Sequence, residues 1–140
     1  MERVMNGDYN KVAIDSNCFI YLIEGSPYSN QLTQLFQKIE DSSITAVTSI
    51  LTMTEILTGP YKARDYKLVE EYRTTLLNFP NLTFRDIDFN IANRASQCRA
   101  DYSLKTPDAI QLATAILEEA DVFITNDLDF RKVDFSVIFL

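Results

Sequence analysis

Short apolar runs alternate with amphipathic stretches along the chain. Lys11 to Asp15 (KVAID) is apolar up to its closing acid and reads as a short buried strand. Ser16 to Glu24 (SNCFIYLIE) continues at helical spacing until Gly25-Ser26-Pro27 stops it. Within residues 28–40, Leu32, Leu35, Phe36 and Ile39 fall on one helical stripe. Ile44 to Thr48 (ITAVT) is rich in β-branched residues and predicts a second strand. Ser49 fits an N-cap for a helix through Leu57 that Gly59-Pro60 ends. Residues 61–78 predict a charged amphipathic helix with Leu68, Val69, Tyr72, Leu76 and Leu77 inward. Leu82 to Ile87 reads as a third strand and 88–101 as another helix. Thr106-Pro107 starts the next, with Thr as N-cap and Pro at the first helical position, and it runs to about Glu119. Asp121 to Thr125 (DVFIT) is a fourth strand, and Phe135 to Leu140 a fifth.

This alternation predicts an α/β fold: a three-layer α/β/α sandwich around a central, mostly parallel sheet of about five strands. One domain spans residues 11–140, and the polar residues 1–10 read as a flexible leader. In such sheets ligands bind beyond the carboxyl ends of the strands. Residues just after strands and at the starts of the following helices are therefore the candidates for chemistry.

Composition narrows that chemistry. The 140 residues contain no histidine, which excludes a Ser-His-Asp triad, a Cys-His dyad and a His-ligated zinc. Carboxylates, hydroxyls, amines or backbone must do any work. Cys18 and Cys98 form no CxxC and read as two reduced, buried thiols. No signal-peptide pattern opens the chain, and no apolar run approaches the ~18 residues of a membrane span. The expected location is the cytoplasm, away from membranes. Thirteen basic against 20 acidic residues give a net charge of −7 and pI ≈ 4.5. That balance argues against a general nucleic-acid binder. An acidic surplus is either a solvated surface or a set of carboxylates gathered around a cation.

Four acids stand where a site belongs. Asp15 closes the first strand, Asp127 follows the fourth, Asp108 lies in the first turn of its helix, and Glu55 lies in the helix after the second strand. Singly, each has a plain explanation. Asp108 favours the helix dipole, Glu55 is off the apolar stripe and so on a solvated face, and Asp127 and Asp129 suit a turn. Together, VAIDSN (12–17), SILTMTEILTG (49–59), LKTPDAIQLATA (104–115) and ITNDLDF (124–130) form an ordered set. That set resembles the PIN domain family and, within it, the VapC-type toxin ribonucleases.

The resemblance covers residues 11 to 140, and KTPDAIQLATA is its most specific piece. It implies an endoribonuclease dependent on Mg²⁺ or Mn²⁺, with Asp15, Glu55, Asp108 and Asp127 as the catalytic acids. It also implies a homodimer and an antitoxin partner, VapB-like or another small DNA-binding protein, whose C-terminal segment fills the groove. Ser16 and Thr125 match the family's hydroxyl positions and are expected to bond the carboxylates. Asp15 and Asp108 are expected to ligate the metal directly. Asp127 is expected at a second ion or through water, and Glu55 is expected to position the attacking water or an outer-shell ligand. Asp129 is expected at the surface or in a turn. Other readings of the same pattern are a non-catalytic metal- or RNA-binding module, or a nuclease for RNA processing or single-stranded DNA.

An all-carboxylate set suits a hard cation rather than zinc or copper, and such an ion relieves the mutual repulsion of the acids. Lys105, just before Asp108, is the expected phosphate contact on an RNA substrate. Arg94 and Arg99 lie on the preceding helix, and Lys62, Arg64 and Lys67 are expected on a solvated, salt-bridged face.

Overall fold

The computed structural model describes residues 1–140. The strands are β1 (Lys11–Ile14), β2 (Thr45–Ser49), β3 (Leu82–Arg85), β4 (Val122–Thr125) and β5 (Val137–Phe139). All pair in parallel, in the order β3-β2-β1-β4-β5. Strand β1 is central, with Ala13 opposite Val47 on one side and Phe123 on the other. The helices are α1 (Glu2–Met5), α2 (Ser16–Glu24), α3 (Ser29–Glu40), α4 (Leu51–Lys62), α5 (Tyr66–Leu77), α6 (Phe89–Tyr102) and α7 (Thr106–Leu117), with a 3₁₀ turn at Leu128–Lys132.

The two-residue period of the strands divides the interior into two layers. Val12, Ile14, Ala46, Val122 and Ile124 face one core with Cys18, Phe19, Leu32, Leu35, Phe36 and Ile39 of α2 and α3. Ala13, Val47 and Phe123 face the other, with Ile91, Ala95 and Cys98 of α6 and Ala109, Leu112 and Ala113 of α7. Aromatic pairs lock each layer: Phe19 meets Phe36 edge-on at 5.2 Å, and Phe123 meets Phe130 at 4.8 Å. Both cysteines are free and buried.

Four local expectations change. Residues 1–10 are not a loose leader: Val4 is fully buried and Tyr9 nearly so, in the same core as α3. Two core side chains are hidden there in an otherwise polar stretch. Gly59-Pro60 does not end α4. Pro60 forgoes a backbone bond to Ile56, but the helix closes beyond it through Ala63 N–H to the Gly59 carbonyl at 3.0 Å. The stop comes instead at Arg64, whose φ of 56° is left-handed. That reversal splits the single helix expected over 61–78. Ser49 is the last residue of β2 and Ile50 the cap, although Ser49 Oγ accepts from Leu51 N–H at 3.1 Å. Lys105, not Thr106, caps α7, which places Pro107 at its second position.

Candidate metal centre

The parallel order brings the C-terminal ends of β1 and β4 side by side, Ile14 against Ile124. Asp15 and Thr125 therefore emerge as neighbours. Asp15 is 5% exposed and caps α2, its Oδ1 accepting from Ser16 N–H at 2.8 Å. Its Oδ2 accepts from Thr125 Oγ1 at 2.7 Å and from Asn17 Nδ2 at 3.4 Å. Ser16 Oγ donates to Glu55 Oε2, so the start of α2 ties Asp15 to the side of α4. Glu55 is exposed apart from that bond. Asp127 N–H donates back to Thr125 Oγ1 at 3.0 Å, which places the loop after β4 against the same hydroxyl.

The closest carboxylates are Asp108, Asp127 and Asp129, whose oxygens lie within 4.8 Å of one another. Asp15 is outside this group, and Asp129, exposed and in a turn as expected, is inside it. The reason is local. Asp127 Oδ1 accepts from Asp129 N–H at 2.9 Å and opens the 3₁₀ turn at Leu128, which folds Asp129 back toward α7. Charge spacing in the sequence does not show a tight turn, though ND-LD at a strand end carries a hint of one.

Electrostatics joins the two halves. Burial pushes the Asp15 carboxyl up to about 7, against the lowering bonds from Thr125 and Ser16, and repulsion from Asp108 and Glu55 adds to the rise. Burial pushes Asp108 up to about 6, with repulsion from Asp127 and Asp129 next and Lys105 opposing. The charges of Asp108 and Glu55 thus act on Asp15, and those of Asp127, Asp129 and Glu55 on Asp108. Buried Cys18 lies beneath Asp15 with its thiol pushed well up by burial, so it stays protonated and offers no thiolate. The donor set is oxygen only, which fits a hard divalent cation.

Three residues with no assigned role in the sequence reading belong to the site's frame. Asn17 Nδ2 reaches Asp15 and also Thr125 Oγ1, the latter at 3.3 Å, while its Oδ1 accepts from Asn126 N–H at 3.4 Å. Asn126 Nδ2 donates to Tyr21 Oη at 3.1 Å. Gln111, one helical turn below Asp108, donates to Thr52 Oγ1 at 2.9 Å, and Thr52 in turn meets Thr48 at 2.6 Å. This buried chain docks α7 on β2 and α4. Polar residues inside the DSN and PDAIQLATA segments were the available signal.

The basic side chains are placed differently from one another. Lys105 is exposed beside Asp108. Arg94 bonds Gln97 and Arg99 bonds the Leu104 carbonyl, so both serve their own helix and its exit. Lys62, Arg64 and Lys67 are exposed, as expected, but none of the protein's five ion pairs includes them. Of the acids near them along the chain, Asp65 caps α5 and Glu70 pairs with Arg73, while Glu71 lies one helical turn from Lys67 without pairing to it.

Fold and site together define an α/β sandwich with a cluster of acids at the carboxyl edge of a parallel sheet. The family model described as PIN domain matches residues 12–136, and the chain belongs to the PIN domain family. Among solved structures, a toxin–antitoxin complex from Klebsiella pneumoniae contains a chain 29% identical to this one, covering 91% of this chain and 95% of that one at TM-score 0.71. FitAcB from Neisseria gonorrhoeae is 18% identical, covering 91% and 96% at TM-score 0.72. VapBC-1 from nontypeable Haemophilus influenzae is also 18% identical, covering 92% and 97% at TM-score 0.68. These last two speak for the fold alone. A comparison with curated proteins finds no match. No helix is long and apolar enough to cross a membrane.

Proposed function

We propose that this protein is a divalent-metal-dependent endoribonuclease and the toxin of a toxin–antitoxin pair. The observation that carries the reading is the convergence of Asp108, Asp127 and Asp129 within 4.8 Å, beside an Asp15 held by Thr125 and Ser16. Such crowding is unfavourable for a solvated surface and useful around a cation. Similarity to a chain of a toxin–antitoxin complex supports the biological role.

Asp15, Asp108 and Asp127, with Asp129 in reach, would hold Mg²⁺ or Mn²⁺. The bound ion supplies Lewis acidity toward a phosphodiester and charge neutralisation at the departing oxygen. Ser16 and Thr125 fix the rotamers of Glu55 and Asp15. Glu55 orients the attacking water from the α4 side, and Lys105 meets a flanking phosphate. The water's oxygen bonds to phosphorus as the bond to the 3′-oxygen breaks, and that oxygen takes up a proton. The products are a 5′-phosphate and a 3′-hydroxyl. A histidine-free chain offers no imidazole to activate a 2′-hydroxyl, which favours hydrolysis over cyclisation.

The partners in this reading are RNA as substrate, a VapB-like or other small DNA-binding antitoxin, and a second copy of the chain, all in the cytoplasm. The test is hydrolysis of RNA by the purified protein with Mg²⁺ or Mn²⁺, with EDTA, and in the Asp108→Asn variant. Turnover that survives both EDTA and the substitution would sink the proposal. Growth arrest on expression, relieved by Asp15→Asn, tests the toxin role.

A further inference from the structure

An acidic nuclease must hold a polyanion somewhere, and one corner of this molecule is built for it. Between α4 and α5 the chain turns through Ala63–Asp65, and every residue from Tyr61 to Lys67 is exposed. Lys62, Arg64 and Lys67 form neither ion pairs nor side-chain hydrogen bonds. By contrast, Arg85 is held by Asp88 and Glu118, and Lys11 also meets Glu118. Tyr61 and Tyr66 are 54% and 61% exposed, and their rings meet edge-on at 6.3 Å. Two large aromatic faces are thus left in water among three unspent cations. The corner also connects to the site. A cleft of about 250 Å³ lies beside the corner and runs from Glu55 past Gly59 and Pro60 to Ala63 and Asp65, its remaining wall apolar apart from Glu24. Glu55 and Ala63, the residue capping α4, are eight helical steps apart, roughly 12 Å.

We propose that the Tyr61–Lys67 corner is a docking platform for unpaired RNA, which then runs along α4 to the acids. The identity of the ligand rests on the ribonuclease reading above. Tyr61 and Tyr66 stack on bases, which requires bases already out of a helix. Lys62, Arg64 and Lys67 neutralise successive phosphates. Arg64 stands exposed at the left-handed turn between the two helices, φ 56°.

The test is binding of a labelled, mixed-sequence single-stranded oligoribonucleotide in EDTA, followed by anisotropy at several salt concentrations. Replacing Lys62, Arg64 and Lys67 together by Ala is expected to weaken binding at least about tenfold and to reduce the salt slope by about 2. Replacing Tyr61 and Tyr66 together by Ala costs at least about tenfold with the slope retained, and Tyr→Phe at both positions restores binding. The corresponding duplex binds more weakly than the single strand. All substituted side chains are exposed, so unchanged circular dichroism confirms folding. Wild-type affinity in both Ala variants overturns the platform. So does a loss of dimer in the Tyr→Ala protein by light scattering, since the corner is then a subunit contact. If the wild type hydrolyses no RNA with either metal but the corner variants still lose binding, the nuclease reading fails and the platform stands.

Discussion

Thr125 donates its hydroxyl to Asp15 Oδ2 at 2.7 Å, joining residues 110 positions apart, and accepts from Asp127 N–H at 3.0 Å with the same oxygen. One buried hydroxyl therefore sets the rotamer of the strand-end acid and the path of the loop that carries Asp127. Thr125→Val keeps the shape and removes both bonds. The expected loss is about 1–3 kcal/mol of stability, since a buried carboxylate oxygen and a peptide N–H lose their partner. Metal affinity or activity is expected to fall roughly tenfold to hundredfold. Urea denaturation and Mn²⁺ titration of the same preparation check the two effects separately. Val at 125 with wild-type metal affinity would show that Asp15 needs no such support.

Without metal, stability is expected to fall as pH rises. Asp15 and Asp108 have native values near 7 and 6, both above the ordinary carboxylate value of 3.8. The native state therefore binds more protons than the unfolded chain through this range, so raising pH favours unfolding. The contribution is full below about pH 4 and is lost by about pH 8. For Asp15 alone the span of about three pH units corresponds to at most roughly 4 kcal/mol. Denaturation in EDTA at pH 5 and pH 8 measures it. Asp15→Asn is expected to flatten the profile, and Mn²⁺ to restore stability at pH 8 in the wild type. A metal-free protein equally stable at both pH values contradicts the raised carboxyl values.

Asp129 provides a sharper test of the metal geometry. It lies in the 4.8 Å group while Asp15 does not. Asp129→Asn is expected to weaken Mn²⁺ binding about tenfold. Asp134→Asn, an exposed acid outside the group, is expected to leave it unchanged. Calorimetric titration of the three proteins separates a ligand from a bystander. Equal affinities in all three would make Asp129 a bystander to the metal.

How much of this was legible follows from the kind of signal each feature leaves. The strands with inward Val12, Ile14, Val122 and Ile124, and the α3 stripe of Leu32, Leu35, Phe36 and Ile39, are carried by periodicity that burial enforces. Their parallel pairing follows from the alternation with helices. The acids at strand ends were visible because that topology leaves few other places for a site. The end of α4 was not visible, because Pro60 sits late enough in the helix for Ala63 to close the turn beyond it. Asp129 reads correctly as a turn residue, but its approach to Asp108 was not legible, because it depends on a turn closed by Asp127, a contact with no period. The state of Lys62, Arg64 and Lys67 was also hidden: sequence gives their spacing but not whether an acid comes within reach.

The N-terminal residues offer a test of the same distinction between average polarity and individual contacts. Residues 1–10 read as a polar leader, yet Val4 is fully buried in the core that contains Leu32, Leu35 and Ile39. Lys11 N–H and Asn10 N–H both donate to Asp121 Oδ2, at 2.9 and 2.8 Å, which anchors the segment to the start of β4. Arg3 adds a contact over the Tyr9 ring at 5.2 Å and an exposed pair with Asp8, which is worth little. The stabilisation therefore rests on Val4. Val4→Ala is expected to cost about 1–3 kcal/mol through lost burial and the cavity it leaves. Arg3→Ala is expected to cost under about 1 kcal/mol. Urea midpoints for the two variants decide the matter, because a free leader would leave both at the wild-type value.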